Sequence, residues 1–207
     1  MVTSEKFWDK TARKYAASPI GDMASYEKTM AQTRAHLSVE DRVLEVGCGT
    51  GSTALLLAEN VAHITATDSS GGMIEIANEK AADAQVENVR FLQAVLEGEA
   101  LEDAAYDAVL AFNFLHLHED LPSAVRDIHR RLKPEGTFIS KTVCLGDGFP
   151  LWRLVIPFMR LIGMAPHVNF LSQAKLEGTI TAGGFEIVET HSYPGSFTTR
   201  FIVARKI

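Results

Sequence analysis

The sequence predicts an α/β fold in which helices cover both faces of a doubly wound, mainly parallel sheet whose last strand is antiparallel. From Arg42 onward, short apolar runs alternate with runs of helical periodicity. The apolar run 42–46 enters a turn with three alternating glycines and then a helical pattern. The last two strand candidates are joined only by "PGSFT" at 194–198, which is too short for a helical crossover.

The N-terminal residues 1–40 form a predicted helical cap that precedes the sheet. An amphipathic helix over 4–17 carries Phe7, Trp8 and Tyr15, and "SPIGD" interrupts it. A second helical pattern runs from about Ser25 to Leu37. The three aromatic side chains are explained by a core-facing stripe or by a segment that closes over a ligand.

The remaining elements follow from hydrophobic periodicity and turn residues. Seven strands are predicted, at 42–46, 63–68, 89–94, 106–112, 136–143, 185–193 and 199–207. The helical runs between them are 53–60, 72–84, 121–132 and a region near 172–184. "KPEG" at 133–136 is predicted to be a turn that ends a helix and starts the fifth strand.

The composition favours a single domain in a reducing cytoplasm. It disfavours nucleic acid and a membrane anchor as partners. The chain has 207 residues, and its net charge of -6 argues against a general affinity for nucleic acid. Two cysteines far apart in sequence give no disulfide framework, and the N-terminus has no apolar signal core. No stable membrane anchoring is expected, because prolines and arginines interrupt the apolar segment 149–170. The sequence is compatible with a homodimer and with a monomer.

The glycine turn is typical of a ligand site, and its spacing narrows the ligand. Gly51 comes one residue too early for the dinucleotide pattern G-x-G-x-x-G, and no Gly-Lys-Ser/Thr follows for a phosphate loop. Asp68 ends the second strand, where its carboxylate can accept hydrogen bonds from both ribose hydroxyls. These features favour a nucleoside without phosphates. The alternative for Asp68 is a helix N-cap.

Four stretches, "VLEVGCGTG", "ATDSSGGMIEIANEK", "YDAVLAFNFLHLHED" and "IHRRLKPEGTFI", together resemble the class I S-adenosylmethionine-dependent methyltransferases. The resemblance covers 42–143 and extends to the terminal strand pair. It implies a Rossmann-like sheet of order 3-2-1-4-5-7-6 with strand 7 antiparallel, and S-adenosyl-L-methionine as the cofactor.

The resemblance also implies which residues hold the cofactor. The loop around its methionine part would comprise Glu45, Gly47, Cys48, Gly49 and Gly51. Asp68 would bind the ribose, Ser69 and Met73 would flank the ribose and adenine, and Asn113 would face the amino-acid end. Ala94 and Val95 stand where the family often has an acid that meets adenine, so apolar packing is expected there. Tyr15 and Tyr26 would be contacts from the N-terminal cap.

The stretch "HLHED" at 116–120 contains residues that could serve as a catalytic base or as metal ligands. His116 and His118 are candidate general bases, because their loop follows the fourth strand at the ligand-binding edge. Their spacing of two residues is not that of a paired zinc site, and no metal is expected. The competing interpretation is a solvated loop with Asp120 as a helix cap. Cys48 is predicted to be a buried, inert thiol.

The apolar insertion 146–171 bears on the substrate. Three interpretations are a core helix, an interfacial helix and a substrate lid; the lid is preferred because the insertion follows the fifth strand. The sequence therefore predicts methyl transfer to a small, partly apolar molecule. The alternatives are a non-enzymatic module that binds S-adenosylmethionine and a methyltransferase that acts on a macromolecule.

Overall fold

A single sheet with strand order β3-β2-β1-β4-β5-β7-β6 organises the chain. The computed structural model describes residues 4–148, 152–161, 164–193 and 198–207. The strands are β1 Arg42–Val46, β2 His63–Asp68, β3 Val89–Gln93, β4 Tyr106–Phe112, β5 Leu132–Val143, β6 Phe185–Tyr193 and β7 Thr199–Lys206. The predicted sheet order is confirmed.

Helices flank this sheet, and four of them begin at a capping side chain. They are α1 Ser4–Ala16, α2 Met23–Arg34, α3 Ser52–Leu57, α4 Gly71–Asp83, α5 Leu121–Arg131, α6 Trp152–Leu161 and α7 Gln173–Ala182. Asp22, Ser70, Asp120 and Ser172 each accept a hydrogen bond from a backbone N–H of the first turn. The predicted cap role of Asp120 is therefore confirmed. Among the helices that the structure describes, none has the length and apolar content needed to cross a membrane.

Strand direction follows the connections. β1 pairs in parallel with β2 and β4, while β7 runs antiparallel to both β5 and β6. Helices connect β1 to β2, β2 to β3 and β4 to β5, whereas β6 and β7 are separated only by 194–198. Residues 194–197 of the predicted "PGSFT" link lie outside the described part. The carboxyl ends of β1, β2, β4 and β5 consequently meet at one edge of the sheet.

Successive residues of the central strands fill two hydrophobic clusters on opposite faces of the sheet. On β1, Val43 belongs to one cluster and Leu44 to the other, and neither side chain is exposed. On β5, Phe138 and Ile139 divide between the clusters in the same way. A strand buried on both faces explains why these segments are almost continuously apolar in the sequence.

The fifth strand begins earlier than the sequence predicts. Leu132 already pairs with Tyr106, and the next pair joins Thr137 to Ala108. Residues 133–136 thus bulge opposite Asp107, whose Oδ1 lies 2.7 Å from the Lys133 Nζ atom. The turn residues of "KPEG" are accommodated inside the strand as an irregularity, so the predicted start at 136 is wrong by four residues.

Helix α1 is fixed on the start of α4, beside the carboxyl edge of the sheet. The Asp9 Oδ1 atom accepts hydrogen bonds from the Ser70 hydroxyl at 2.6 Å and from the Gly72 N–H at 3.0 Å. Trp8 packs on a small cluster that includes the buried Met73. The N-terminal cap is therefore attached to the same short segment that carries Asp68.

Candidate active site

In the glycine turn between β1 and α3, two glycines pack closely against aromatic rings and one faces open space. Gly47, Gly49 and Gly51 all have positive φ angles, of 66°, 53° and 75°. A Cβ atom at Gly47 would lie 2.7 Å from the Phe114 ring, and one at Gly51 would lie 2.6 Å from the Phe91 ring. At Gly49, by contrast, no heavy atom of the described surroundings lies within 4 Å. Gly49 alone of the three presents its backbone to open space.

Asp68 connects the end of β2 to this turn. Its Oδ2 atom accepts a hydrogen bond from the Gly49 N–H at 3.0 Å, and its Oδ1 atom accepts one from the Ser70 N–H at 2.9 Å. The N-cap of α4 is Ser70, whose hydroxyl oxygen accepts from the Met73 N–H at 3.1 Å. The helix-cap alternative for Asp68 is therefore wrong. Burial raises the pKa of Asp68, and its backbone hydrogen bonds oppose that rise.

Glu45 is a buried carboxyl group with an unused oxygen. The side chain is 2% exposed, and its Oε2 atom has no hydrogen-bond partner among the described residues. The Ala54 N–H donates a hydrogen bond to the carboxyl group. Burial, followed by the negative charge of Asp68, raises the pKa of Glu45 to about 8. Glu45 is therefore largely protonated at neutral pH and still has an unused polar atom.

Cys48 lies inside the turn as a buried thiol, as predicted. Its backbone N–H donates to the Thr67 carbonyl at 2.9 Å, which ties the turn to β2. Burial is the main cause that raises the pKa of Cys48 well above its usual value, and the charges of Glu45 and Asp68 add to it. A thiol in this environment is a poor nucleophile.

Several of the other predicted contacts surround Asp68 and the end of β4. The Ala94 N–H donates to the Asp68 carbonyl at 3.0 Å, and the side chain of Val95 is half exposed. Ser69 follows Asp68 directly and is partly buried. Asn113 is exposed with a φ of 54°, a conformation that Asn tolerates better than most residues. All four lie at the carboxyl edge of the sheet.

The residues predicted to close the site differ in their surroundings. The phenol of Tyr15 is half exposed, but loss of water and then the charge of Asp68 raise its pKa. Tyr26 is partly buried against the cluster that includes Cys48. Met73 is 2% exposed beneath α1, where it packs with Trp8, so α1 separates its side chain from solvent. The contact predicted for Met73 stays a prediction.

The two candidate bases have different hydrogen-bonding states. His118 Nε2 lies 2.6 Å from the Glu97 Oε1 atom and its Nδ1 lies 3.0 Å from the Asp120 carbonyl oxygen. Both ring nitrogens of His118 therefore have a hydrogen-bond partner within the protein. His116 is 8% exposed, burial lowers its pKa to about 4, and its Nδ1 has no partner within the described chain. The expected solvated loop is thus wrong for His116.

The predicted insertion contacts the histidine loop. The Asn169 N–H donates to the His116 carbonyl at 2.7 Å, and the Asn169 side-chain amide donates to the His118 carbonyl. Two residues before Asn169, the His167 Nδ1 atom lies 2.9 Å from an Arg160 guanidinium nitrogen of α6. Residues 149–151 and 162–163 of the insertion lie outside the described part. The described segment 164–170 therefore joins α6 to the loop after β4.

Comparisons with known proteins agree with this geometry. A family model described as "Methyltransferase domain" matches residues 43–136. The uncharacterized methyltransferase YcgJ of Bacillus subtilis is 32% identical over 138 residues, which are 67% of this chain and 54% of that protein. A malonyl-[acyl-carrier protein] O-methyltransferase of Enterobacter lignolyticus is 31% identical over 142 residues, which are 68% of this chain and 53% of that protein. The chain spans about half the length of these curated relatives.

Solved structures share the architecture at low sequence identity. The crystal structure of YcgJ superimposes with a TM-score of 0.74 at 21% identity and covers 87% of this chain and 98% of that one. The geranyl diphosphate C-methyltransferase of Streptomyces coelicolor gives 0.73 at 13% identity, covering 89% and 76%. Sheet order and glycine turn define a Rossmann-like α/β domain. The family-model match over residues 43–136, the methyltransferase relatives and the shared fold support assignment of the chain to the class I S-adenosylmethionine-dependent methyltransferases.

The raised pKa of Glu45 predicts a pH-dependent stability. Between about pH 4.5 and about 8 the folded chain holds this proton more tightly than the unfolded chain, so Glu45 reduces stability as pH rises. Glu45→Gln should remove this loss, which is on the order of a few kcal/mol because each pKa unit corresponds to about 1.4 kcal/mol. Urea unfolding at pH 5 and pH 8 measures it. The exposed Glu40→Gln is the matched control, and identical pH dependence of Glu45→Gln and the wild type would contradict the assignment.

Proposed function

We propose that the chain binds S-adenosyl-L-methionine at the carboxyl edge of the sheet and transfers its methyl group to a small, partly apolar acceptor. One observation carries the proposal: a Cβ atom at Gly49, whose N–H binds the Asp68 carboxylate, would meet no heavy atom of the described surroundings within 4 Å. Glu45 of the preceding strand keeps one oxygen atom without a hydrogen-bond partner in the described part of the chain. The turn has room for a ligand, and both acids can accept hydrogen bonds from it. Relatives named as methyltransferases support the same activity.

The residues present fit this cofactor in chemical character. Asp68 offers carboxylate oxygens to the two ribose hydroxyls, which are donors. The charges of Asp68 and Asp9 form a negative environment that favours a ligand with cationic ammonium and sulfonium groups. A positive charge bound there would also lower the pKa of the buried Glu45. Ala94 and Val95 supply backbone groups and apolar surface beside Asp68, where the adenine would be held. The site fits a cationic nucleoside better than a pyrophosphate.

The bound cofactor supplies an electrophilic methyl group, so the chain mainly aligns the acceptor and excludes water. Where the acceptor must lose a proton, we assign His116 rather than His118 as the base. His116 is neutral above about pH 4, and its buried Nδ1 atom has no hydrogen-bond partner in the described part of the chain, whereas both nitrogens of His118 face acceptors. Asn169 holds the carbonyl of His116 and so positions this loop.

The acceptor class rests on the surroundings of the site. Helix α6 has large apolar side chains, among them Phe158, which is 62% exposed and therefore not part of the core. A lid role for 146–171 stays a prediction, as does a cytoplasmic location. The negative net charge disfavours nucleic acid as the acceptor. The two alternatives are a binding module without activity and a methyltransferase with a macromolecular acceptor. A screen of candidate acceptors with methyl-labelled cofactor distinguishes these alternatives from a small-molecule acceptor.

The first test is ligand-induced stabilisation. S-adenosylhomocysteine at a hundred times its dissociation constant should add about 2.7 kcal/mol to the free energy of unfolding. For a domain of this size that corresponds to an increase of roughly 5–10 °C in Tm. NAD at the same concentration should leave Tm unchanged, because the turn lacks the dinucleotide spacing. A Tm unaffected by both S-adenosylhomocysteine and S-adenosylmethionine would contradict the proposal.

The second test concerns the base and uses an acceptor found by the label screen. His116→Gln should lower kcat by roughly 10²–10⁴-fold with cofactor affinity unchanged, because a proton acceptor is lost. Since the pKa of His116 is about 4, wild-type turnover should stay on its plateau down to about pH 5 and fall below that. His118→Gln is the matched control and should reduce kcat far less. Equal kcat values for His116→Gln and the wild type would exclude the role.

A further inference from the structure

Lys141 is a lysine flanked by two phenylalanines at the carboxyl edge of the sheet. On β5 it stands opposite Phe112 of β4 and Phe201 of β7, and paired residues in a sheet share a face. Ile139, two residues earlier on β5, belongs to the cluster on the α2 side, so Lys141 faces α2 as well. Its carbonyl accepts from the Asn113 N–H at 2.8 Å, which ties it to the proposed cofactor site.

The ammonium group has few partners in this position. It lies 4.9 Å from the centre of the buried Tyr193 ring and 3.4 Å from the Ser25 carbonyl oxygen. No carboxylate forms an ion pair with it within the described part of the chain. Asp22 is the acid whose charge acts on it, but the two oxygens of Asp22 are used by the N–H and hydroxyl groups of Ser25.

A partly buried cation without a counter-ion is unfavourable unless a ligand completes its surroundings. An ammonium group has three N–H donors, and here one carbonyl and one aromatic face account for two of them. Burial also lowers the pKa of Lys141. One donor thus stays available for an anionic atom beside Phe112 and Tyr193.

We propose that Lys141 binds the anionic group of the methyl acceptor, which is an organic carboxylate with an apolar or aromatic body. This inference rests on the proposed function and names its substrate class. A carboxylate carries one negative charge and a phosphate carries nearly two, so the acids Asp68 and Asp22 at this edge repel a phosphate more strongly. The partly buried Phe112 lies beside that charge, and the buried rings of Phe201 and Tyr193 pack around the lysine.

Isothermal titration of the protein saturated with S-adenosylhomocysteine tests the proposal with three probes that share a benzene ring. Sodium benzoate should bind at least tenfold more tightly than benzamide, its neutral analogue, and more tightly than phenyl phosphate. Lys141→Met should abolish the preference for benzoate over benzamide, and Lys141→Arg should keep part of it. Lys175→Met, which removes an exposed lysine, should behave like the wild type.

Other outcomes overturn the inference. If the wild type binds benzoate no better than benzamide, or binds neither, Lys141 does not hold a carboxylate. If Lys141→Met keeps the preference, another group provides it; if phenyl phosphate binds best, the ligand is a phosphate. The Tm of Lys141→Met, expected to equal or exceed that of the wild type, shows that the variant is folded. Absence of S-adenosylhomocysteine binding in the wild type would instead contradict the proposed function, and the benzoate preference is then read on the unloaded protein.

Discussion

The carboxylate of Asp68 bridges the turn after β1 and the start of α4, and the geometry of the site depends on this bridge. One oxygen binds the backbone of Gly49 in the turn after β1, and the other binds the backbone of Ser70 at the start of α4. Ser70 in turn caps α4 and binds Asp9 of α1. Asp68 thus connects the turn and the helix directly, and through Ser70 it also connects the N-terminal cap. Its position follows from β2, which ends beside β1 in a parallel pairing.

The ionisable groups around this bridge are mainly acidic. Burial and then the charge of Asp68 raise the pKa of Glu45, while burial raises the pKa of Asp68 and the charge of Asp9 adds to that rise. Negative charges therefore repel one another at this position. A ligand with positive charge relieves that repulsion, whereas a phosphate would increase it. The cationic side chain of Lys141 lies at the end of β5 and faces α2, at the same edge of the sheet. The edge therefore offers negative groups near the glycine turn and a positive group farther along, which suits two ligands of opposite charge.

Sequence reasoning predicted the sheet because its signals are local. The bounds of β1, β2, β4 and β6 agree with the predicted runs, since each is a short apolar segment between turn residues. The start of β5 was missed because a strand that absorbs "KPEG" as a bulge has no distinct pattern. The roles of Asp9 and Lys141 and the burial of His116 were also missed. Each depends on contacts between distant segments, and only the lysine inside "TFISKTV" gave a visible signal.

The measurement that tests the central claim most directly is the affinity of S-adenosylhomocysteine for Asp68→Ala, determined by isothermal titration. Loss of a carboxylate that binds two hydroxyls should weaken binding by tenfold or more, because charge-assisted hydrogen bonds contribute roughly 1.5–3 kcal/mol each. Asp107→Ala is the matched control, since Asp107 also accepts a backbone N–H but lies at the opposite edge of the sheet. We expect its affinity to equal that of the wild type. An unchanged affinity in Asp68→Ala would contradict the account.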